Sequence, residues 1–489
     1  MENNKENDEK NQSQNPQFET IPIEEIPPNI EESAVEGSQS PQLEQIPSPI
    51  GLENEAAVSY PEGKLKYLLF FGFIIIFFIF LFLIFRFFFS GKKSNSSITL
   101  TYWGLWEEEQ VFKPLIEDYK KQNPYVVINY QKMSPENYRE KLIARSKNGQ
   151  GPDIFRFHNT WLPEIKEVAS PLPSSIMSNQ EFEKTFYKIH QKDLKVGNYY
   201  YGLPLEIDGL VLVYNNNLFK KAGIANEPVT WEDIAMIVPR LTVKDRNGQL
   251  ITSGIAIGTA SNLEHFSDIF GLLLLQNGGK LAELDQPEAV GALEAFRKFA
   301  EKPDNFWDES MPNSITAFIQ EKVAMILVPS WQVLVIKAAN PEIDLRVTQV
   351  PFVPGGKPIS IANYWVEGVN KYSPHQLEGW KFLRFLVEKD NLTKLYEIQS
   401  KIRLFGEPYS RVDLAPLLSQ NPYLAAVIKQ ADNFVSLPLV ARTFDNGLND
   451  GIISYIGNAI NATISGVSYG EALRTAKQGI DQILNQYNL

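Results

Sequence analysis

The spacing of apolar positions changes repeatedly along residues 98–157, and each change predicts an element. Residues 98–103 alternate with period two and read as a strand; Val111, Phe112, Leu115, Ile116 and Tyr119 then recur at helical spacing until Asn123-Pro124 stops them. Residues 125–130 alternate again, residues 136–146 return to helical spacing, and Gly151-Pro152-Asp153 introduces a third strand at 154–157. A β-α-β-α-β series of this kind predicts a largely parallel sheet covered by helices, with ligand-contacting groups at the carboxyl ends of its strands.

The stretch 197–217, GNYYYGLPLEIDGLVLVYNNN, separates this series from a second, similar one and reads as a hinge strand beside a ligand cleft. Beyond it Thr230, with Asp233 three residues on, signals a capped helix start. Residues 253–258 read as a strand, residues 264–276, 286–301 and 312–320 as helices, and residues 323–328 as a buried strand ending in Pro329-Ser330-Trp331. Another strand is expected at 346–351, a Gly/Pro turn at 353–358, and a second crossing at 361–369 carrying Tyr364, Trp365 and Glu367. Ser373 as N-cap, Pro374 and Gln376 announce a helix whose Leu377, Trp380, Leu383 and Leu386 share one face, and residues 415–435 and 469–485 read as helices. The expected class is α/β: two similar units joined by hinge crossings, preceded by a tail and one transmembrane helix.

That helix comes from the residues ahead of the globular part. No charge interrupts residues 68–85, and the apolar character continues past Arg86 to residue 89; 22 positions at ~1.5 Å each span roughly 33 Å, enough for a bilayer core of about 30 Å. Residues 64–90 are therefore expected to span a membrane and residues 91–97 to form a linker. Residues 1–63 hold 14 acidic and 2 basic groups and are rich in Asn, Gln, Ser and Pro, a composition that cannot bury enough apolar surface to offset ordering entropy. The tail accounts for the whole net charge of −12, so the remaining chain is neutral and has no field to attract nucleic acid.

Catalytic chemistry finds little footing. The chain has no cysteine, and its four histidines, His158, His190, His265 and His375, lack metal-ligand spacing. No phosphate loop or nucleophile elbow occurs, so neither a metal nor a cofactor is expected. Glu206 and Asp208 fall on one face of the hinge strand. Paired carboxylates can run glycoside hydrolysis, but neighbouring same-face positions cannot straddle a scissile bond, so they are read as acceptors for ligand hydroxyls. Trp231, Trp307 and Trp380 read as packing residues, and Arg403 as a surface charge rather than a partner for a hinge carboxylate. Trp103, Trp106, Trp161, Trp331 and Trp365 stand at strand ends or a crossing, where their flat apolar faces and polar edges suit sugars. His158, Asn159, Ser330 and Tyr364 complete the candidate set with Glu107, in the loop after the first strand.

These residues carry a resemblance. The opening ITLTYWG, GQGPDIFRFHNTWLPEI, YGLPLEIDGLVLVYNNNLFKKAGI, PVTWEDI, QEKVAMILVPSW and NYWVEGVNKYSP, in that order, resemble the extracellular solute-binding proteins of the maltose-binding type, the sugar-capturing component of bacterial ABC importers. The resemblance spans about residues 98–485. It implies no enzyme but a carbohydrate receptor of the two-lobed, type II periplasmic-binding-protein fold, with one lobe at about 98–209 and 366–412, the other at about 210–365 and 413–489, and closure by hinge bending. It implies ligand contacts at Trp103 and the following loop, at His158-Asn159 with Trp161, and at Asp208 and Trp331. The maltose-binding members have Asp-Arg where this chain has Asn159-Thr160, a departure that puts maltodextrin in question. The expected partners are an oligosaccharide, ABC permease subunits and, through residues 68–89, a membrane; the globular part would face outward and the tail the cytoplasm. A glycoside hydrolase and a tethered sensor or scaffold are the alternatives.

Overall fold

The computed structural model describes residue 73, residues 75–82 and residues 97–489; the acidic tail, most of the apolar stretch and the linker up to residue 96 lie outside the described residues. Residue 73 and residues 75–82 are helical, with exposed side chains. Among the described residues no helix is long and apolar enough to cross a membrane.

From residue 97 the chain runs β1 (Ile98–Gly104), α1 (Glu109–Gln122), β2 (Val126–Lys132), α2 (Tyr138–Lys147) and β3 (Ile154–His158), as the period changes predict. Strands β2 and β3 flank β1 in parallel, with Ile98 opposite Val126 and Tyr102 opposite Ile154. The chain then reaches β4 (Leu203–Pro204) and β5 (Leu210–Asn215), whose six residues are all buried. Helix α3 (Trp231–Leu241) starts with the predicted capping box: Asp233 N donates to Thr230 Oγ1 at 3.1 Å, and Thr230 N donates to Asp233 Oδ2 at 2.9 Å. Next come α4 (Phe266–Gln276), α5 (Pro287–Lys298), β6 (Met325–Pro329), α6 (Gln332–Ala339), β7 (Leu345–Thr348), β8 (Ser360–Ile361) and β9 (Trp365–Val369). Helices α7 (Gln376–Leu386) and α8 (Lys389–Ile402), strand β10 (Phe434–Val435), and helices α9 (Leu448–Ile464) and α10 (Tyr469–Gln486) complete the chain.

The first sheet has the order β2-β1-β3-β9-β4, with β9 antiparallel to both of its neighbours. The second series does not repeat this plan. Its sheet is β6-β5-β7, and β5 is antiparallel to both partners, Val213 facing Ile326 and Val347. The strand expected at 253–258 is reduced to one bridge, Ser253 to Val323, and a bond from Ala256 N to Met325 O at 3.1 Å. At Gly258 the backbone turns with φ 112°, a conformation that side chains other than glycine rarely adopt, and this ends the extended run.

Three local expectations need correcting. Ser373 does not cap α7: its hydroxyl accepts from His375 N at 2.9 Å, and Gln376 bonds Ser170 and the carbonyl of Lys371, so the helix begins later. Leu377 points to solvent while Trp380, Leu383 and Leu386 are buried. Residues 415–435 are short helical turns that end in β10, which pairs in parallel with β8.

Extended passes lie side by side between the two sheets. Residues 206–209 bridge Tyr409 through Glu206 on one side and Ala362 through Gly209 on the other; Ile207 N donates to Pro408 O at 2.9 Å and Asn363 N to Asp208 O at 2.9 Å. The passes are so close that a Cβ on Gly209 would stand 2.4 Å from Ile361 O and 2.3 Å from the Phe434 ring. Gly209→Ala is therefore expected to lower the melting temperature by several degrees, as measured by circular dichroism, because backbone or ring must shift.

Candidate functional site

The adjacent passes build the floor of a cavity of about 240 Å³. Glu206 and Asp208 come from the first pass, Asn363 and Trp365 from the second, and Glu407 and Pro408 from the third. Alternation of side chains along an extended chain aims both carboxyls of the first pass the same way, as the sequence suggests, although neither residue belongs to a strand. Ser330, Trp331, Leu334 and Val335, at the end of β6 and along α6, form one wall; Trp106 and Arg403 stand on the side of the first sheet, and Ala441, Arg442 and Phe444 close the rim.

Two of the nominated acceptors are already engaged. Asp208 Oδ1 accepts the N–H groups of Gly209 at 2.7 Å and Ser330 at 3.2 Å, and Oδ2 accepts that of Trp331 at 3.1 Å. It thus ties the hinge to the start of α6. Burial pushes its carboxyl up to about 7, against the pull of those bonds. Glu206 Oε1 accepts Trp365 N at 2.9 Å, which fixes the backbone of the tryptophan on the cavity wall. Beside them, Ser330 Oγ is fully buried next to the Asp208 carboxyl and lacks a hydrogen bond of normal geometry.

Of the twelve nominated residues, Trp106, Glu206, Asp208, Ser330, Trp331 and Trp365 meet around this cavity. The other six pack behind it. His158 is fully buried, its Nδ1 at 2.8 Å from Thr160 Oγ1 and its Nε2 at 3.2 Å from Asn363 Oδ1; burial drives its pKa down to about 4, so it is neutral. Asn159 donates to Asp193 at 3.0 Å and to Ser436 at 2.8 Å, and Tyr364 OH donates to the same Asp193 oxygen at 2.7 Å. Trp161 is buried with its ring 5.4 Å from that of Trp365. Trp103 is buried too, donating from Nε1 to Gln131 at 3.1 Å. Glu107 pairs with Arg403 at 2.8 Å and accepts from Gln399 at 3.0 Å. Arg403 is therefore no surface charge: it reaches inward to a carboxylate, because burial of Glu107 requires a partner.

The sequence reading missed Asn363, Glu407, Arg442 and Phe444. Glu407 has no motif around it, and only the third pass brings it to the floor. Arg442, Phe444 and Asn446 share left-handed backbone conformations, φ 65°, 58° and 47°. A phenylalanine there is strained, and such strain gathers at ligand clamps. The strained turn delivers the Phe444 ring to 6.2 Å from that of Trp106, which itself lies 5.3 Å from that of Trp365. Among the described residues no group of three or more histidine or carboxylate side chains is placed to hold a metal ion.

A sequence model described as bacterial extracellular solute-binding protein matches residues 104–392. A putative binding protein of Brucella abortus is 25% identical over 291 residues, covering 57% of this chain and 69% of that protein. The maltodextrin-binding protein of Bacillus subtilis is 25% identical over 352 residues, 68% of this chain and 79% of its own. The crystal structure of an ABC transporter solute-binding protein from Thermotoga lettingae, bound with α-D-tagatose, superposes with a TM-score of 0.62 at 22% identity, covering 79% of this chain and all of that one.

Proposed function

We propose, from the premise that this chain belongs to the bacterial extracellular solute-binding protein family, of the maltose-binding type, that it captures a small carbohydrate in the cavity and hands it to an ABC permease. One observation carries the reading: aromatic rings from separate segments, Trp106, Trp365, Trp331 and Phe444, surround a floor of carboxyl and amide groups in a single cavity. Flat apolar faces over polar rims match a sugar ring, which is apolar on its faces and hydroxylated at its edge. At about 240 Å³ the cavity is smaller than the roughly 300–1,000 Å³ usual for drug-sized ligands, which favours a mono- or disaccharide. Ligands of similar proteins support the class: maltodextrin in the name of one relative and α-D-tagatose in one structure.

Two lobes, about 98–209 with 366–412 and about 210–365 with 413–489, would close on the ligand by bending at the three passes. Residues 64–90 would anchor the protein in the membrane, with the acidic tail in the cytoplasm and the sugar-binding part outside. The length and uninterrupted apolar character of 68–85 support this arrangement. Glycoside hydrolysis by Glu206 and Asp208 gains no support, since both carboxyls already accept backbone N–H groups.

Calorimetric titration of the full-length protein in detergent against mono- to tetrasaccharides tests the proposal. Saturable binding of a small sugar with the sugar recovered intact is expected, and failure to bind any member of the panel would overturn it. Trp106→Ala is expected to weaken that binding about tenfold or more, ~1.4 kcal/mol, without moving the melting temperature of the free protein, because the ring is partly exposed.

A further inference from the structure

We propose that Glu164 is a positioning residue for the cavity: from the first lobe it completes the cap of α9 in the second, and so latches the rim turn that carries Phe444. The statement rests on the two-lobe, sugar-binding reading argued above. The turn is rooted in the second lobe. Val440 N donates to Asn449 Oδ1 at 3.2 Å, Ala441 N donates to Asp268 Oδ2 of α4 at 3.1 Å, and Arg442 pairs with Glu264. The turn then runs into α9, which packs along α10.

A helix begins with N–H groups that have no carbonyl ahead of them, and at α9 these are the groups of Leu448, Asn449 and Asp450. The fully buried Asp445 serves two of them: Oδ2 accepts Asn449 N at 2.7 Å and Oδ1 accepts Asp450 N at 3.0 Å. The third is served from the other lobe, where Glu164 Oε1 accepts Leu448 N at 3.1 Å. Glu164 lies just after β3, and Arg139, at the start of α2, donates from Nη1 to the same oxygen. Two further bonds cross beside it, from Asn449 Nδ2 to Thr160 Oγ1 at 2.8 Å and from Asn446 Nδ2 to Asn137 Oδ1 at 3.3 Å. Gly447 marks the closest approach: a Cβ there would stand no farther than 2.9 Å from Glu164 Oε1, Arg139 Nη1 and Tyr487 OH.

Only residues 445–447 separate this anchor from the cavity rim. Phe444 holds a left-handed backbone at φ 58°, and strain of that kind persists only where the surroundings over-determine it. Asp445 fixes the turn from within and Glu164 fixes Leu448 from across, which keeps the Phe444 ring 6.2 Å from that of Trp106 on the first lobe. The latch is also able to release. Glu164 Oε2 and Arg139 Nε are buried without hydrogen-bond partners, so parting the lobes would give both atoms water and offset part of what the broken bonds cost. A ligand that needs the closed form binds with its intrinsic affinity reduced by the fraction closed. Loss of the latch therefore weakens binding although Glu164 itself does not line the cavity.

The chain has no cysteine, so spin labels at Lys113→Cys on α1 and Ala338→Cys on α6, both exposed, report the separation of the lobes in the full-length protein in detergent. Without sugar, Glu164→Ala is expected to move population from a shorter to a longer distance in double electron–electron resonance. Glu164→Gln, which keeps an oxygen for Leu448 N and Arg139, is expected to stay close to the parent. Calorimetric titration with maltotriose is expected to give Glu164→Ala an affinity about five- to tenfold weaker, with most of the loss recovered in Glu164→Gln. Distances and affinity that stay unchanged in Glu164→Ala, even where its melting temperature falls, would reduce Glu164 to a helix cap and overturn the proposal. Where Glu164→Ala does not fold, Asn137→Gly decides: it cuts one crossing bond at an exposed position whose φ of 54° glycine accepts, and is expected to lengthen the same distances by less. Unchanged distances there overturn the latch as well. If maltotriose and the other sugars fail to bind the parent, the sugar reading falls while the distances still decide the latch.

Discussion

Arg156→Met is expected to destabilise the fold by about 3–5 kcal/mol, read from the shift of the urea unfolding midpoint, because it leaves two buried carboxylates without their main counter-charge. Arg156 stands in the middle of β3, opposite Glu367 in β9, and is 2% exposed. Its Nε donates to Glu367 Oε1 at 2.7 Å, and its Nη2 approaches Glu407 Oε2 at 3.5 Å. Methionine fills the volume of the side chain but supplies neither charge nor donor. The double variant Arg156→Met with Glu367→Gln is expected to be less damaged than the single one, since one orphaned charge is removed with its partner. A loss under about 1 kcal/mol in the single variant would show that the pair contributes little beyond its packing.

Asp208→Ala is the second large effect. It leaves the N–H groups of Gly209, Ser330 and Trp331 without an acceptor inside the hinge and frees the start of α6, at an expected cost of about 2–4 kcal/mol. Because Ser330 and Trp331 line the cavity, affinity for the sugar is expected to fall at least tenfold as well. Asp208→Asn removes the titrating group and keeps one oxygen to accept Gly209 and Ser330, giving up only the bond from Trp331 N, which meets the amide NH2 instead. The folded protein holds a proton on this carboxyl up to about pH 7, while the unfolded chain releases it near 3.8, so unfolding free energy falls as pH rises through that window. The asparagine variant removes this slope, worth on the order of 4 kcal/mol over the window, and denaturant titrations at several pH values measure it. An unchanged slope in Asp208→Asn would assign the pH dependence to other groups.

Much of this architecture is legible in the residues because it depends on local pattern. Alternation and helical spacing place β1, α1, β2, α2 and β3 in order, and Thr230 with Asp233 start α3 as the capping rule requires. Trp380, which helical spacing assigns to packing, is fully buried, as is Trp307 after its turn, whereas Trp231, assigned the same way, is only partly buried. Pattern is weaker where two outcomes share it. The buried run of β5 fits a parallel or an antiparallel strand equally, and the direction is fixed by β6 and β7, which arrive from more than a hundred residues away. Ser373 carries a cap signal, yet its hydroxyl serves a turn one step earlier, because Gln376 finds Ser170 as a partner.

The candidate site divides along the same line. By itself the sequence determined that the hinge presents Glu206 and Asp208 together, since alternation is a property of the backbone, and that Trp106, Trp331 and Trp365 stand at the ends or crossings of extended segments. Only the tertiary structure decided which polar groups remain available to a ligand. His158 and Asn159 look equally poised in sequence, but Thr160, Asn363, Asp193 and Ser436 use up their hydrogen bonds, and all of those partners except the neighbouring Thr160 come from distant parts of the chain. Glu407 carries no local signal and reaches the floor only on the third pass, and Arg403 turns inward to it and to Glu107 because buried carboxylates require counter-charge. A side chain's type and spacing fix what it is able to do. The partners packed against it fix whether that capacity is spent on the fold or left for a ligand.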